Sequence, residues 1–157
     1  HRLGILRQRG LKLADIQRVI AGMEPLPGAL EYMTWLCERF QNVILSDTFY
    51  EFASPFMRKL GWPTLFCNSL EVDGEGMVTD YHMRLLDGKL HAVLSLKNLN
   101  FSVVAMGDSY NDTAMLCEAD LGILFRPPQA VREKFPHLPV AEDYATVQRL
   151  IEGFARG

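Results

Sequence analysis

The feature that most constrains the fold is the alternation of short apolar runs with longer helix-period segments from residue 29 onward. Residues 42–45, 64–67, 101–106 and 121–125 are apolar runs of strand length. Between and after them, residues 29–40, 49–60, 89–97, 110–119, 127–134 and 143–154 carry apolar side chains at helical spacing. Runs that apolar carry no solvent-facing alternation, so their strands must be covered on both faces. That pattern predicts an α/β fold with a parallel sheet between layers of helices. Residues 70–83 depart from it, alternating around Asp73-Gly-Glu-Gly76, which predicts a β-hairpin.

Upstream, Leu13, Ile16, Val19 and Ile20 form one helical stripe that stops near Gly22. The connector Met23-Glu-Pro-Leu-Pro-Gly28 excludes helix through its prolines and predicts a boundary. We therefore expect a small helical piece over residues 1–24 and a main α/β body over residues 25–157. Because His1 opens the chain and residues 2–9 already read as a helix ending at Gly10, the sequence is expected to continue a longer protein.

In a parallel sheet, ligands bind beyond the carboxyl ends of the strands. Two runs end in residues suited to that place. One gives Ser46-Asp47-Thr48, and the other gives Gly107-Asp108-Ser109-Tyr110-Asn111-Asp112. A hydroxyl at Ser46 and the amides opening the next helix would hold a phosphate oxygen. Asp108 and Asp112, four residues apart on a turn entering a helix, are candidate holders of Mg2+. Lys89, at the start of a helix, could neutralise phosphate charge. Structural readings stand beside these: Ser109-x-x-Asp112 and Thr48-x-x-Glu51 both fit a capping box, and Lys89 alone is an ordinary surface lysine. Asp73 and Glu75 read as turn formers, and His82 and His91 as surface or packing residues.

Composition narrows the partners. A net charge of −3 with scattered basic residues, apart from Arg2, Arg7, Arg9 and Lys12, gives no surface for nucleic acid. No apolar run approaches membrane-spanning length. Cys37, Cys67 and Cys117 lie far apart in apolar company, which predicts buried, reduced thiols in a cytoplasmic protein. The hairpin, with Met77 and Tyr81 expected at the surface, is a candidate homodimer contact or a cover for the core.

Taken in order, Ser46, Lys89 and the Gly107–Asp112 turn resemble the second, third and fourth motifs of the haloacid dehalogenase (HAD) superfamily of phosphotransferases. Leu45-Ser-Asp-Thr-Phe-Tyr-Glu-Phe52, Gly107-Asp-Ser-Tyr-Asn-Asp-Thr113 and Gly122-Ile-Leu-Phe125 are similar to one branch of it. That branch is the phosphoserine phosphatases, in particular the bifunctional phosphoserine phosphatase/homoserine phosphotransferase type. The resemblance implies Mg2+-dependent hydrolysis of O-phosphoserine through an aspartyl-phosphate, with homoserine as an alternative acceptor. It implies that Ser46 and Lys89 are catalytic, with Asp47, Thr48 and Asn111 joining them around the substrate, and that Asp108 and Asp112 serve the metal. It also implies a Rossmann-like sheet and a helical cap, here partial. The superfamily's attacking aspartate lies in a DxD motif after a first, central strand, and these 157 residues contain no such motif after an apolar run. Asp73-Gly-Glu75 is the nearest imitation. The chain alone is therefore expected to lack both that strand and turnover. Two alternatives remain open at this point: a non-catalytic module binding a phosphorylated ligand, and a HAD phosphatase for another small phosphoester.

Overall fold

The structure, a computed structural model, describes residues 10–156; the helix expected over residues 2–9 and the arginines in it lie outside these. The chain divides into two compact units, His1–Leu86 and Asp87–Gly157. The described strands pair as two three-stranded sheets, one in each unit. No described helix is long and apolar enough to cross a membrane.

The first unit contains α1 (Leu13–Ala21), α2 (Ala29–Cys37), β1 (Val43–Phe49), α3 (Tyr50–Lys59), β2 (Thr64–Val72) and β3 (Val78–His82). β1 runs parallel to β2 and β2 antiparallel to β3. The run at residues 64–67 and the first arm of the hairpin are thus one continuous strand, whose first half pairs with β1 and whose second half pairs with β3. Asp73 forms the hairpin turn by accepting from the amides of Glu75 (2.9 Å) and Met77 (2.8 Å). Tyr81 is exposed, but Met77 is half-buried because it bridges to Lys12 at the start of α1, which corrects its expected exposure. α1 packs against α3, yet Val19 of its stripe points to solvent.

Pro55 lies inside α3 and cannot donate to the carbonyl four residues back. That carbonyl, on Glu51, instead accepts from the Gln17 side chain at 2.8 Å, so the gap in one helix is closed by its neighbour α1. The Thr48-x-x-Glu51 capping box does not form. Phe49 takes the N-cap position without a side-chain bond, and the Glu51 carboxylate accepts from the Leu70 amide at 2.9 Å.

The second unit contains α4 (Gly88–Asn98), β4 (Val104–Gly107), α5 (Tyr110–Glu118), β5 (Leu121–Phe125), α6 (Gln129–Lys134), β6 (Val140–Ala141) and α7 (Tyr144–Ala155). Its sheet is parallel throughout, in the order β4-β5-β6. Adjacent residues Ile123 and Leu124 of central β5 are both fully buried, so both faces of that strand are covered. α5 packs on β4 and β5, and α7 on β5 and β6. Lys97 ties the end of α4 to the end of α5, donating to the Glu118 carbonyl (2.6 Å) and carboxylate (3.2 Å) and pairing with Asp120 at 3.5 Å. The opposite carboxylate oxygen of Asp120 accepts from the Val103 amide at 2.8 Å, anchoring the entry to β4.

α7 is capped by Asp143, which accepts from the Thr146 amide at 2.7 Å. Replacing it with alanine leaves a helix-end amide unpaired, so Asp143→Ala is expected to lower the midpoint of denaturant melts. An unchanged midpoint would show that the cap contributes nothing.

Candidate active site

Each unit carries one of the clusters singled out in the sequence. In the second, β4 ends at Gly107 and α5 begins at Tyr110, with the turn Asp108-Ser109 between them. The carboxylate of Asp112 folds back under this turn. One oxygen, Oδ2, accepts from the amides of Asp108 and Ser109 (3.1 Å each) and from the Ser109 hydroxyl (2.9 Å). The other, Oδ1, accepts from the Lys89 ammonium at 2.9 Å.

This close fold requires glycine at 107. A Cβ there would lie 2.4 Å from the Asp112 Cβ and 2.6 Å from its Cγ, well inside contact distance. The Asp112 side chain therefore realises the capping reading with one oxygen and pairs with Lys89 through the other. It closes the helix start and also holds Lys89.

The pair is secluded, with side-chain exposures of 16% for Lys89 and 8% for Asp112. Burial alone would raise the Asp112 pKa. The hydrogen bond and charge of Lys89, with the Ser109 donors, outweigh it and hold the carboxyl below the ordinary aspartate value. Lys89 lies in the first turn of α4, where the helix dipole disfavours a cation. The Asp112 carboxylate offsets that. Asp87 enters this helix in the left-handed conformation (φ 50°), which its short polar side chain tolerates.

Asp108 and Asn111 are exposed on the same turn and helix start. Among the described residues no group of three or more His, Cys, Asp or Glu side chains is arranged to hold a metal ion. With both Asp112 oxygens engaged, Asp108 is the carboxylate of this pair open to a cation. Mg2+ commonly takes only one or two carboxylates and fills its remaining positions with water and phosphate oxygens, so the donor set fits through Asp108.

In the first unit, β1 does not stop before Ser46 as the sequence suggests but continues to Phe49. Its pairing is interrupted instead. Leu45 faces Phe66 and Phe49 faces Asn68, so Ser46, Asp47 and Thr48 together face the single residue Cys67. This bulge carries all three phosphate-site candidates of the unit. The Thr48 amide donates to the Ser46 hydroxyl oxygen at 3.3 Å, and the Asp47 carbonyl accepts from the Asn68 side chain at 3.1 Å. Asp47 itself is exposed.

Asn68 was not singled out by the sequence, although one polar amide inside the apolar run Leu65-Phe-Cys-Asn-Ser-Leu70 is a readable signal. Among the other candidates, His82 pairs with Glu71 across the hairpin at 2.6 Å, and His91 is exposed. The cysteines are all unpaired, but only Cys67 is buried, where desolvation pushes its thiol up to about 11. Cys37 ends α2 and Cys117 lies in the last turn of α5, and both are exposed, which corrects their expected burial.

No protein-family model matches the chain. Over 148 residues, 94% of its length, it is 53% identical to "Phosphoserine phosphatase ThrH" of Pseudomonas aeruginosa and spans 72% of that protein. It is 52% identical over 148 residues to "Phosphoserine phosphatase" of Pseudomonas syringae pv. tomato, spanning 62% of that protein. Among solved structures, it matches "Phospho-Aspartyl Intermediate Analogue of Phosphoserine phosphatase" with a TM-score of 0.73 at 24% identity. That match covers 89% of this chain and 70% of the solved one, and it shows the likeness of fold.

Proposed function

The chain belongs to the phosphoserine phosphatase family, and on that premise we propose that its residues bind and neutralise a small phosphomonoester, O-phosphoserine first, for hydrolysis. The observation that carries this reading is the secluded Lys89–Asp112 pair, 2.9 Å apart, beneath a turn that leaves Asp108 exposed. Such a turn pairs with an ammonium held in place and leaves a carboxylate exposed, the two charges that a phosphate with a divalent cation requires.

In this reading the Ser46 hydroxyl donates to a phosphate oxygen, and Asp47 and Thr48 line the same bulge. Lys89 offsets phosphate charge while Asp112 keeps its ammonium in place. Asn111 faces the rest of the substrate. Mg2+, when bound, would be held by Asp108 and would supply positive charge against the phosphate oxygens. The family's attacking aspartate belongs to a DxD motif that these 157 residues do not carry. The residues present therefore bind and balance charge, and the nucleophile is not among them. We place the activity in the cytoplasm.

Titration of the 157-residue chain with O-phosphoserine and Mg2+, followed by amide resonances and by free phosphate, tests this. Residues 46–48 and 108–112 are expected to shift while no phosphate is released. Resonances that stay put would sink the site. Tighter binding of a sugar phosphate would move the substrate class, and released phosphate would place a nucleophile within these residues.

A further inference from the structure

Among the described residues, the buried polar or charged positions are Asp112 and Asn68. Asp112 is accounted for by the turn it closes. Asn68, 5% exposed, calls for a reason of its own, because an amide in the interior is retained only where both its ends are satisfied.

Both ends are committed. Its nitrogen donates to the Asp47 carbonyl at 3.1 Å, and its oxygen accepts from the Arg84 amide at 2.9 Å. Neither partner lies in regular pairing. Asp47 is in the bulge of β1, and Arg84 follows the end of β3. The side chain thus supplies hydrogen bonds that the interrupted sheet does not, on both sides of β2.

The consequence follows from one peptide plane. The Asp47 carbonyl and the Thr48 amide belong to the same rigid trans unit, so they point in opposite directions. Holding the carbonyl on Asn68 aims the Thr48 N–H away from it, and that N–H donates to the Ser46 hydroxyl oxygen at 3.3 Å. With its oxygen accepting from the backbone, the hydroxyl keeps its own hydrogen for another acceptor. Arg84 fixes which end of the amide faces the bulge, because a backbone N–H can be met only by the amide oxygen.

We propose that Asn68 is a positioning residue: through the Asp47–Thr48 peptide it sets the Ser46 hydroxyl as a donor to a phosphate oxygen. The inference rests on the reading of Ser46 as a phosphate contact. Arg84 itself is anchored with its guanidinium over the Phe66 ring, 4.6 Å from the centroid, so the tether beyond β3 is held at two points.

Inorganic phosphate titrated against the 157-residue chain tests it without turnover. Losing one hydrogen bond to a charged group corresponds to about tenfold in affinity, so Ser46→Ala and Asn68→Ser are each expected to weaken phosphate by about that factor. Because Asn68 acts through Ser46, the double variant is expected to bind no more weakly than Ser46→Ala alone. A merely structural amide would lower the melting midpoint and leave this non-additivity absent.

Weakening by Ser46→Ala with full affinity in Asn68→Ser overturns the role of Asn68 alone. No effect of Ser46→Ala removes the phosphate reading and this inference with it. Additive losses overturn the coupling. If Asn68→Ser does not fold, the unsubstituted chain decides. Phosphate is expected to shift the Asn68 side-chain amide resonances together with those of residues 46–48, and an unmoved Asn68 overturns the proposal.

Discussion

Gly122→Ala is expected to unfold the Asp87–Gly157 unit or bring it close to unfolding. The alanine Cβ would sit 2.1 Å from the carbonyl oxygen of Leu116 and 2.7 Å from its carbonyl carbon. The methyl has no rotamer of its own, and every atom it meets there is backbone. Leu116 is inside α5 and fully buried, and Gly122 is in β5 between two fully paired neighbours. No rotamer change relieves it, so helix and strand must separate along their packed length. Overpacking that side chains can absorb costs about 1–3 kcal/mol, and this substitution belongs above that range. Against a typical domain stability of about 5–15 kcal/mol, a loss of ~3 kcal/mol or more lowers the midpoint by more than about 12 °C. Thermal melts followed by circular dichroism measure it. A loss below about 1 kcal/mol would mean that α5 and β5 are not packed as closely as described.

Lys89→Met carries the next largest effect, and its sign comes from what it leaves behind. The substitution strands the Asp112 carboxylate in a secluded position, and breaking a buried pair from one side typically costs about 3–5 kcal/mol. Asp112→Asn is expected to be milder, since the more exposed Lys89 ammonium can turn to water. The double variant Lys89→Met/Asp112→Asn should be more stable than Lys89→Met alone, because the stranded charge is gone. A double variant no better than Lys89→Met would show that the two side chains do not act as a pair.

Acid dependence follows from the same carboxylate. The Asp112 pKa is depressed in the folded protein, so folding is favoured by the ionised form. That contribution is complete above the unfolded value of about 3.9 and is lost as pH falls through the lower folded value. Asp120 and Asp143, held down chiefly by their bonds to the Val103 and Thr146 amides, act with the same sign. The double variant should therefore lose less stability than the unsubstituted chain below about pH 4, with a residual acid slope from those two residues.

What could be read in advance follows the range of the physics involved. Strands such as residues 121–125 were legible because an uninterrupted apolar run needs cover on both faces, and β5 has it. The two-residue β6 was not, since Val140-Ala141 offers no periodicity and gains its strand character from Leu124 and Phe125 beside it. The turn after β4 was legible as a place for chemistry. Its internal assignment was not, because spacing alone does not say which Asp112 oxygen Lys89 reaches.

Thr48-x-x-Glu51 illustrates the reverse error. The local pattern is sound, but the Leu70 amide, far along the chain, competes for the same carboxylate and takes it. The bulge of β1 escaped for a related reason. Ser46, Asp47 and Thr48 contain nothing that says they face one residue rather than three, and the register is set by β2.

The contact between Gly107 and Asp112 also bears on how this turn can be inherited. A bare α-carbon at one position and a folded-back carboxylate at the other fill the same small space, with no room for an added methyl. A single substitution at 107 meets the acid, and a longer acid at 112 meets the turn. Position 107 is therefore held to glycine for as long as position 112 carries a side chain, whereas a change at 112 that keeps its size, such as Asp112→Asn, leaves the turn its room.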